Sequence, residues 1–266
     1  MSAPTLHAIQ RSTWSLRELR GLVTAEVRKM LSTSAWWAGL LLPAGLLCLV
    51  VGLFSGRSGS AAANLQGYLG FVGVSVAILL GVVCASAEYR HNTIATSYLG
   101  AADRPKLIIA KAAFAAMVGA AWALIAAAMS VAGVLIGGAD LGSDLTSVLG
   151  MSAAAVPVFA VGAVLGVGFG TWIGNQMLAV LGALLYMAIG EFLLVIGAEA
   201  VDLADYLAYL PRLSGIISVA ALAGTMEFDG GFGVSPPWWL LPLVFLGWTA
   251  LFGLAGAAAA QRRDIA

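Results

Sequence analysis

The sequence predicts an all-α integral membrane protein with six transmembrane helices. Of its residues, 61% are hydrophobic and only 10% are charged, whereas about a quarter of the residues in a soluble domain are charged. Crossing a bilayer takes about 20 apolar residues. Six runs approach or exceed that length, and they cover residues 36–54, 65–86, 110–135, 148–170, 176–197 and 238–260.

The distribution of basic residues predicts the orientation of these spans. If the N-terminus is cytoplasmic, every lysine and arginine except Arg57 and Arg212 falls on the cytoplasmic side. By the positive-inside rule, we expect both termini and the loop between the second and third spans to face the cytoplasm. The chain then divides into an N-terminal segment (1–35), a six-span domain (36–260) and a cytoplasmic tail (261–266).

Residues 15–34 show the pattern of an amphipathic helix. Apolar residues recur every three or four positions and basic residues lie to the other side, and Ser15 and Glu18 have the spacing of a capping box. Such a helix is typical of the membrane interface, although an ordinary juxtamembrane tail is the alternative. The apolar positions are Leu16, Leu19, Val23, Val27 and Met30.

A short helix is predicted between the second and third spans. Asn92 can cap its start and Gly100 can end it, and Asp103-Arg104-Pro105 then opens the next helix. So short a helix would hardly hold alone in water. Its apolar side, formed by Ile94, Tyr98 and Leu99, therefore lies either on lipid or in a partner protein.

The segment between the fifth and sixth spans carries most of the acidic residues expected outside. Within it, the apolar stretch from Gly215 to Ala223 is too short to cross a bilayer. A seventh span would also place Arg262 and Arg263 outside. We therefore expect a re-entrant or interfacial outer segment before the sixth span.

Glycines at four-residue spacing mark one stripe of the fourth span. Such a stripe lets a neighbouring backbone approach closely, either within one subunit or at a sliding or dimer-forming face. Its members are Gly162, Gly166, Gly170 and Gly174.

Three residues inside the spans are candidates for a substrate path. A carboxylate within a membrane suggests function by default, and Glu191 falls roughly 22 Å above the start of its span at 1.5 Å per residue. It either faces a path or reaches outer water. Trp122 and Trp248 either line such a path or contact lipid and the protein core.

Several function classes lack support in the sequence. We find no phosphate-binding loop, because no lysine follows a glycine, and no metal-ligand spacing around His7 or His91. Zero net charge gives no reason to propose nucleic acid. Cys48 and Cys84 fall in apolar runs and suggest neither a disulfide nor a metal. An enzyme or a self-powered transporter is therefore disfavoured.

Short motifs along the whole chain suggest a family. They are Glu26 to Lys29 before Trp36-Trp37, Glu88-Tyr89-Arg90-His91-Asn92-Thr93, Arg104 followed by Lys111, and Arg262-Arg263-Asp264-Ile265. Together with the layout of spans, they resemble the type-2 permease family of ABC transporters. Asn92 departs from that pattern, which more often has glycine there.

The resemblance implies that the helix from Asn92 to Gly100 is a coupling helix, seated in a cleft of a separate ATP-binding subunit. Two copies of that subunit would bind ATP and magnesium, and this chain would need no cofactor. A second permease subunit, identical or paralogous, would complete the path in the cell membrane. The residues expected to couple to the ATPase are Glu88, Arg90, Asn92, Thr93, Ile94, Tyr98, Leu99, Arg104 and Lys111.

The resemblance implies export, and the inferred apolar path suits a hydrophobic or amphiphilic substrate, such as a drug, a lipid-like molecule or a peptide, better than a sugar. A membrane scaffold or regulatory subunit that moves nothing is the alternative. An enzyme acting on lipid would need a polar cluster within the bilayer, and Glu191 alone is too little for that.

Overall fold

The computed structural model describes residues 16–32, 34–58, 69–90, 104–138, 145–225 and 237–262. Within these ranges all regular structure is helical. Five helical stretches of the described chain are long and apolar enough to cross a membrane, which confirms an all-α, multi-pass membrane protein. They are Leu69–Ala87, Lys106–Ile136, Leu145–Ile173, Gln176–Ala200 and Leu240–Arg262.

The helices are numbered here in chain order. Two of the spanning stretches include a π-helical turn, Leu69–Gly73 before α3 and Tyr186–Gly190 between α6 and α7, and a 3₁₀ helix, Ala204–Tyr209, precedes α8. The α-helices are α1 (Leu16–Ser32), α2 (Ser34–Ser58), α3 (Val74–Arg90), α4 (Arg104–Ile136), α5 (Leu145–Ile173), α6 (Gln176–Leu185), α7 (Glu191–Ala200), α8 (Pro211–Ala223) and α9 (Leu240–Arg262).

The first predicted span coincides with α2, a helix of 25 residues. Among the residues of α2 whose side chains are described, the apolar stretch runs from Ala44 to Phe54, which is shorter than a membrane span. Its packing against α4 is close, because Gly52 meets the Ser130 carbonyl and Gly133 meets the Leu49 carbonyl with no room for a Cβ between them. Helix α2 is thus firmly attached to the bundle.

Helix α5 lies at the centre and packs against α3, α4, α8 and α9. Glycines make these crossings possible. A Cβ on Gly166 would overlap the Ile78 carbonyl oxygen of α3, and one on Gly168 would lie 2.6 Å from the backbone nitrogen of Gly253 in α9. Real Cβ atoms do not come so close to backbone, so these positions require glycine for the backbones to touch.

The short helix α8 contains the apolar stretch predicted between the fifth and sixth spans. It begins at Pro211, where a proline at the first helical position costs no hydrogen bond. It ends at Gly224, whose φ of 68° is left-handed. Its buried side packs against α5, α9 and the turn Leu69–Gly73, so α8 is part of the bundle.

Helix α1 is present over Leu16–Ser32, close to the predicted 15–34. Val27 and Met30 pack against the core, whereas Arg20 and Arg28 are exposed. This division between faces is the one that the apolar periodicity predicts. The contacts of α1 with the bundle are mainly with α4.

Candidate functional site

A buried ion pair joins α7 to α8. The Arg212 guanidinium donates through Nη1 to Glu191 Oε2, and the two side chains are only 3% and 6% exposed. Neither charge is stable alone in a membrane protein's interior, because desolvating an ion costs several kcal/mol. The pairing is therefore what allows either residue to be buried.

Arg212 also contacts both π-helical turns. Its Nη1 donates to the Met187 carbonyl in the second turn at 3.3 Å, and its Cζ lies 4.0 Å from the ring centroid of Phe71 in the first. Its Nε donates to Ser75 Oγ at 2.8 Å. The Arg212 side chain thus connects α8 with both spanning segments that contain a π-helical turn. Such turns are frequent at functional sites.

The position of Arg212 in the first turn of α8 is electrostatically unfavourable. A cation near a helix N-terminus opposes the helix dipole, by about 0.3–1 kcal/mol at exposed sites. Breaking a buried ion pair costs more, about 3–5 kcal/mol. The contact with Glu191 therefore outweighs the dipole.

A small cavity lies beside this cluster. Its volume is about 150 Å³, and Arg212, Tyr186 and Met187 line it together with apolar side chains that include Phe169 and Phe252. Two buried polar atoms of the ion-pair cluster, Tyr186 Oη and Glu191 Oε1, make no hydrogen bond of ordinary geometry with the described residues. Such atoms are costly to leave unsatisfied.

A second cluster of charges joins α1 to the start of α4. Lys111 Nζ lies 3.3 Å from Glu26 Oε1, with side chains 5% and 11% exposed. One turn earlier in α4, Lys106 Nζ lies 3.2 Å from Glu18 Oε2, but Glu18 is 57% exposed. The Lys111 pair is therefore the stronger connection, because exposed ion pairs contribute only about 0–1 kcal/mol.

The predicted coupling residues are described only in part. Helix α3 contains Glu88 and Arg90 and helix α4 begins at Arg104, as Asp103-Arg104-Pro105 predicts. The side chains of these three residues are not described. The predicted helix and its residues Asn92, Thr93, Ile94, Tyr98 and Leu99 lie outside the described residues.

The glycine stripe of α5 divides into two environments. Gly166 and Gly170 face backbone atoms of Ile78 and Val82 in α3 of the same chain, and Gly162 faces Phe245, Ala77 and Ile78 side chains. Gly174 lies beyond α5, where its φ of 66° makes the break before α6. Gly162, Gly166 and Gly170 therefore serve helix packing within one subunit.

The three candidate path residues have different partners. Trp122 is 1% exposed and donates Nε1 to the Gly73 carbonyl at 3.1 Å, within the core. Trp248 donates Nε1 to the Tyr209 carbonyl at 2.8 Å and stacks on Phe252, with ring centroids 6.1 Å apart. Of the three, Glu191 has the charged partner and, being 5% exposed, does not reach open water in this chain.

Sequence reasoning missed Arg212 as the partner of Glu191. A signal existed, since Arg212 is one of only two basic residues on the predicted outer side, next to the apolar start of α8. It also missed the pair of Glu18 and Lys106, although Glu18 has the spacing of a capping residue. Local patterns do not show pairs formed by residues 21 to 88 positions apart.

No metal site is apparent among the described residues, since no three histidine, cysteine, aspartate or glutamate side chains come together there. No protein-family model matches the chain, and no curated protein matches it.

Proposed function

We propose that this chain is the transmembrane permease subunit of an ATP-driven exporter of the ABC type-2 class. A separate ATP-binding subunit, in two copies, would supply the energy, and a second permease would complete the path. The observation that best supports the proposal is the buried Lys111–Glu26 pair. It joins the amphipathic helix α1 to α4 close to where segment 91–103 enters α4.

That arrangement suits the transmission of force from a partner. Segment 91–103 connects α3 to α4, and any pull on it acts first on the ends of these helices. Because α1 is attached to α4 by an ion pair that is hard to break, α1 and α4 would move together. The bundle would have two states, and ATP binding in the partner would favour one of them. The change of state would switch the side of the membrane to which the path opens.

The proposal includes six spans and cytoplasmic termini. Helix α2, with its 25 residues and glycine contacts to α4, would be the first span. The basic residues of α1 then lie at the same end of the bundle as Lys106 and Lys111, with which α1 makes its ion pairs. Concentration of basic residues at one end is typical of the cytoplasmic side.

Helix α8 would be the re-entrant or interfacial segment on the outer side. It has 13 residues, about 20 Å at 1.5 Å per residue, which is too short to cross the hydrocarbon core. Its attachment to α3 and α7 through Arg212 would hold the outer ends of the spans together.

The stretch Gln176–Ala200 has a largely exposed apolar surface, which suits lipid or a second permease. An apolar helix surface of this kind suits a hydrophobic or amphiphilic cargo better than a sugar. Exposed leucines on α6 and α7 include Leu178, Leu181, Leu185 and Leu193.

Purification from native membranes in mild detergent tests the proposal. We expect an ATP-binding protein to purify with this chain and the complex to hydrolyse ATP. Recovery of the chain alone under gentle conditions would contradict the proposal and favour a membrane-surface role for the segment 91–103. An ATPase that co-purifies but never responds to any candidate cargo would favour a scaffold.

A further inference from the structure

Helix α1 has an exposed basic face. Arg20 and Arg28 are both exposed and stand eight residues apart, about 12 Å along the helix axis. Together with Gly21, Thr24 and Ala25 they line a shallow groove of about 460 Å³. The three residues between the arginines are small, so a polar group of several atoms can approach the helix there.

The acidic residues of α1 do not neutralise this basic face. Helix α1 contains two acids, Glu18 and Glu26, and each is paired with a lysine of α4. Neither Arg20 nor Arg28 forms an ion pair with a residue that the structure describes. The basic face therefore keeps its positive charge and complements an anion.

The attachment to α4 places the basic face near the membrane surface. Helix α4 has 33 residues, about 50 Å at 1.5 Å per residue, whereas the hydrocarbon core of a bilayer is about 30 Å thick. The ends of α4 therefore extend into the headgroup layers. Lys106 and Lys111, which pair with α1, both lie within the first two turns of α4.

Arginine at the level of the headgroups is suited to phosphate. A guanidinium can donate two parallel hydrogen bonds to one phosphate group. Basic residues clustered on a helix beside a span are typical of binding to anionic lipids. A zwitterionic headgroup is less suitable, because it brings a cation that the arginines repel.

We infer that the basic face of α1 binds the headgroup of an anionic phospholipid between Arg20 and Arg28. The charges, the groove and the position beside α4 all belong to this one chain. The inference therefore does not depend on transport or on a partner ATPase, and the lipid can bind even if the chain moves nothing.

Native mass spectrometry of the full chain in detergent tests the inference. The chain is titrated with phosphatidylglycerol or with phosphatidylcholine of identical acyl chains, and the dissociation constants of the first bound lipid are compared. We expect phosphatidylglycerol to bind about 25-fold more tightly, at about fivefold for each arginine. Equal binding of the two lipids at low salt would overturn the inference.

Salt should weaken the preference for the anionic lipid. Raising ammonium acetate from about 0.1 M to about 1 M shortens the Debye length from about 10 Å to about 3 Å. Because the arginines are exposed, most of the difference between the two lipids should then disappear. A preference that is unchanged by salt would contradict recognition by exposed charges.

Matched pairs of substitutions locate the bound lipid. Arg20→Gln with Arg28→Gln should remove most of the preference, whereas Arg20→Lys with Arg28→Lys keeps the charge and should retain most of it. Arg262→Gln with Arg263→Gln removes the same charge from the C-terminal end, where Asp264 follows, and should change the preference little. If both glutamine pairs reduce it equally, the basic face of α1 is not the site.

An acidic surface on a protein partner is the competing occupant of the basic face. It predicts that the purified chain binds phosphatidylglycerol and phosphatidylcholine equally, since the partner is then absent. That comparison uses only the wild-type chain and stands even if a variant fails to fold.

Discussion

Lys111 and Glu26 form an ion pair of 3.3 Å that is almost wholly buried, and it joins the N-terminal helix to the start of α4. The two residues are 85 positions apart in the chain. Helix α1 therefore does not simply lie near the bundle; it is attached at a specific point. In the proposed permease, the attachment matters because a pull on the segment before α4 would carry α1 with it.

Lys111→Met should destabilise the protein by about 3–5 kcal/mol, because it leaves the Glu26 carboxylate buried without its partner. The double variant Glu26→Gln with Lys111→Met should lose less than the sum of the single variants. Thermal unfolding in detergent measures both effects. Glu18→Gln is the matched control and should cost about 0–1 kcal/mol, since Glu18 is exposed. Equal losses of stability from Glu18→Gln and Lys111→Met would contradict the conclusion that the Lys111–Glu26 pair is the stronger of the two ion pairs.

Arg212→Met should be as damaging as the loss of Lys111, since it leaves the buried Glu191 carboxylate without its counter-ion. Adding Glu191→Gln to Arg212→Met should recover part of the lost stability. Unfolding midpoints of the two single variants and the double variant form the test. Additive losses would mean that the two side chains do not depend on each other. Arg20→Met, at an exposed position of α1, controls for the general loss of an arginine.

Gly166→Ala should cost about 1–3 kcal/mol, because the new methyl group overlaps the Ile78 carbonyl and pushes α3 from α5. Gly247→Ala is the matched control. It has nothing within 4 Å of the added Cβ and should be neutral or gain up to about 1 kcal/mol from helix propensity. If the two variants unfold at the same temperature, Gly166 is not needed for close contact between α3 and α5.

Trp122→Phe should cost about 1–3 kcal/mol. The variant loses the hydrogen bond to the Gly73 carbonyl at 3.1 Å and leaves a void in the core. Chemical denaturation in a fixed detergent is a suitable measurement. Trp239→Phe, at a side chain that is 48% exposed, should change stability little. A loss with Trp239→Phe as large as with Trp122→Phe would contradict a core role for Trp122.

Much of the helical fold follows from local sequence signals. Five of the six apolar runs coincide with helices that can cross a membrane, and Asp103-Arg104-Pro105 predicts the start of α4. Helix α1 follows from its apolar spacing. These features depend on residues within a few turns of one another, which is why periodicity and capping reveal them.

The candidate site could be predicted only in part. Glu191 attracts attention as an acid within a span, but its partner Arg212 comes from a helix beyond a 3₁₀ segment. Gly174 fits the spacing of the stripe, yet its left-handed φ removes it from α5. Spacing gives the order of residues along one helix and carries no information on which helix lies opposite or where a break occurs.

ATP hydrolysis by the purified complex is the most direct test of the permease account. Tyr98→Asp with Leu99→Asp should abolish co-purification of the ATPase and its activity, because charges on the apolar side of the proposed coupling helix would be desolvated on docking. Tyr206→Asp, at an exposed position before α8 on the proposed outer side, should leave both unchanged. An ATPase that still binds and still turns over with the double substitution would contradict the docking role and the account built on it.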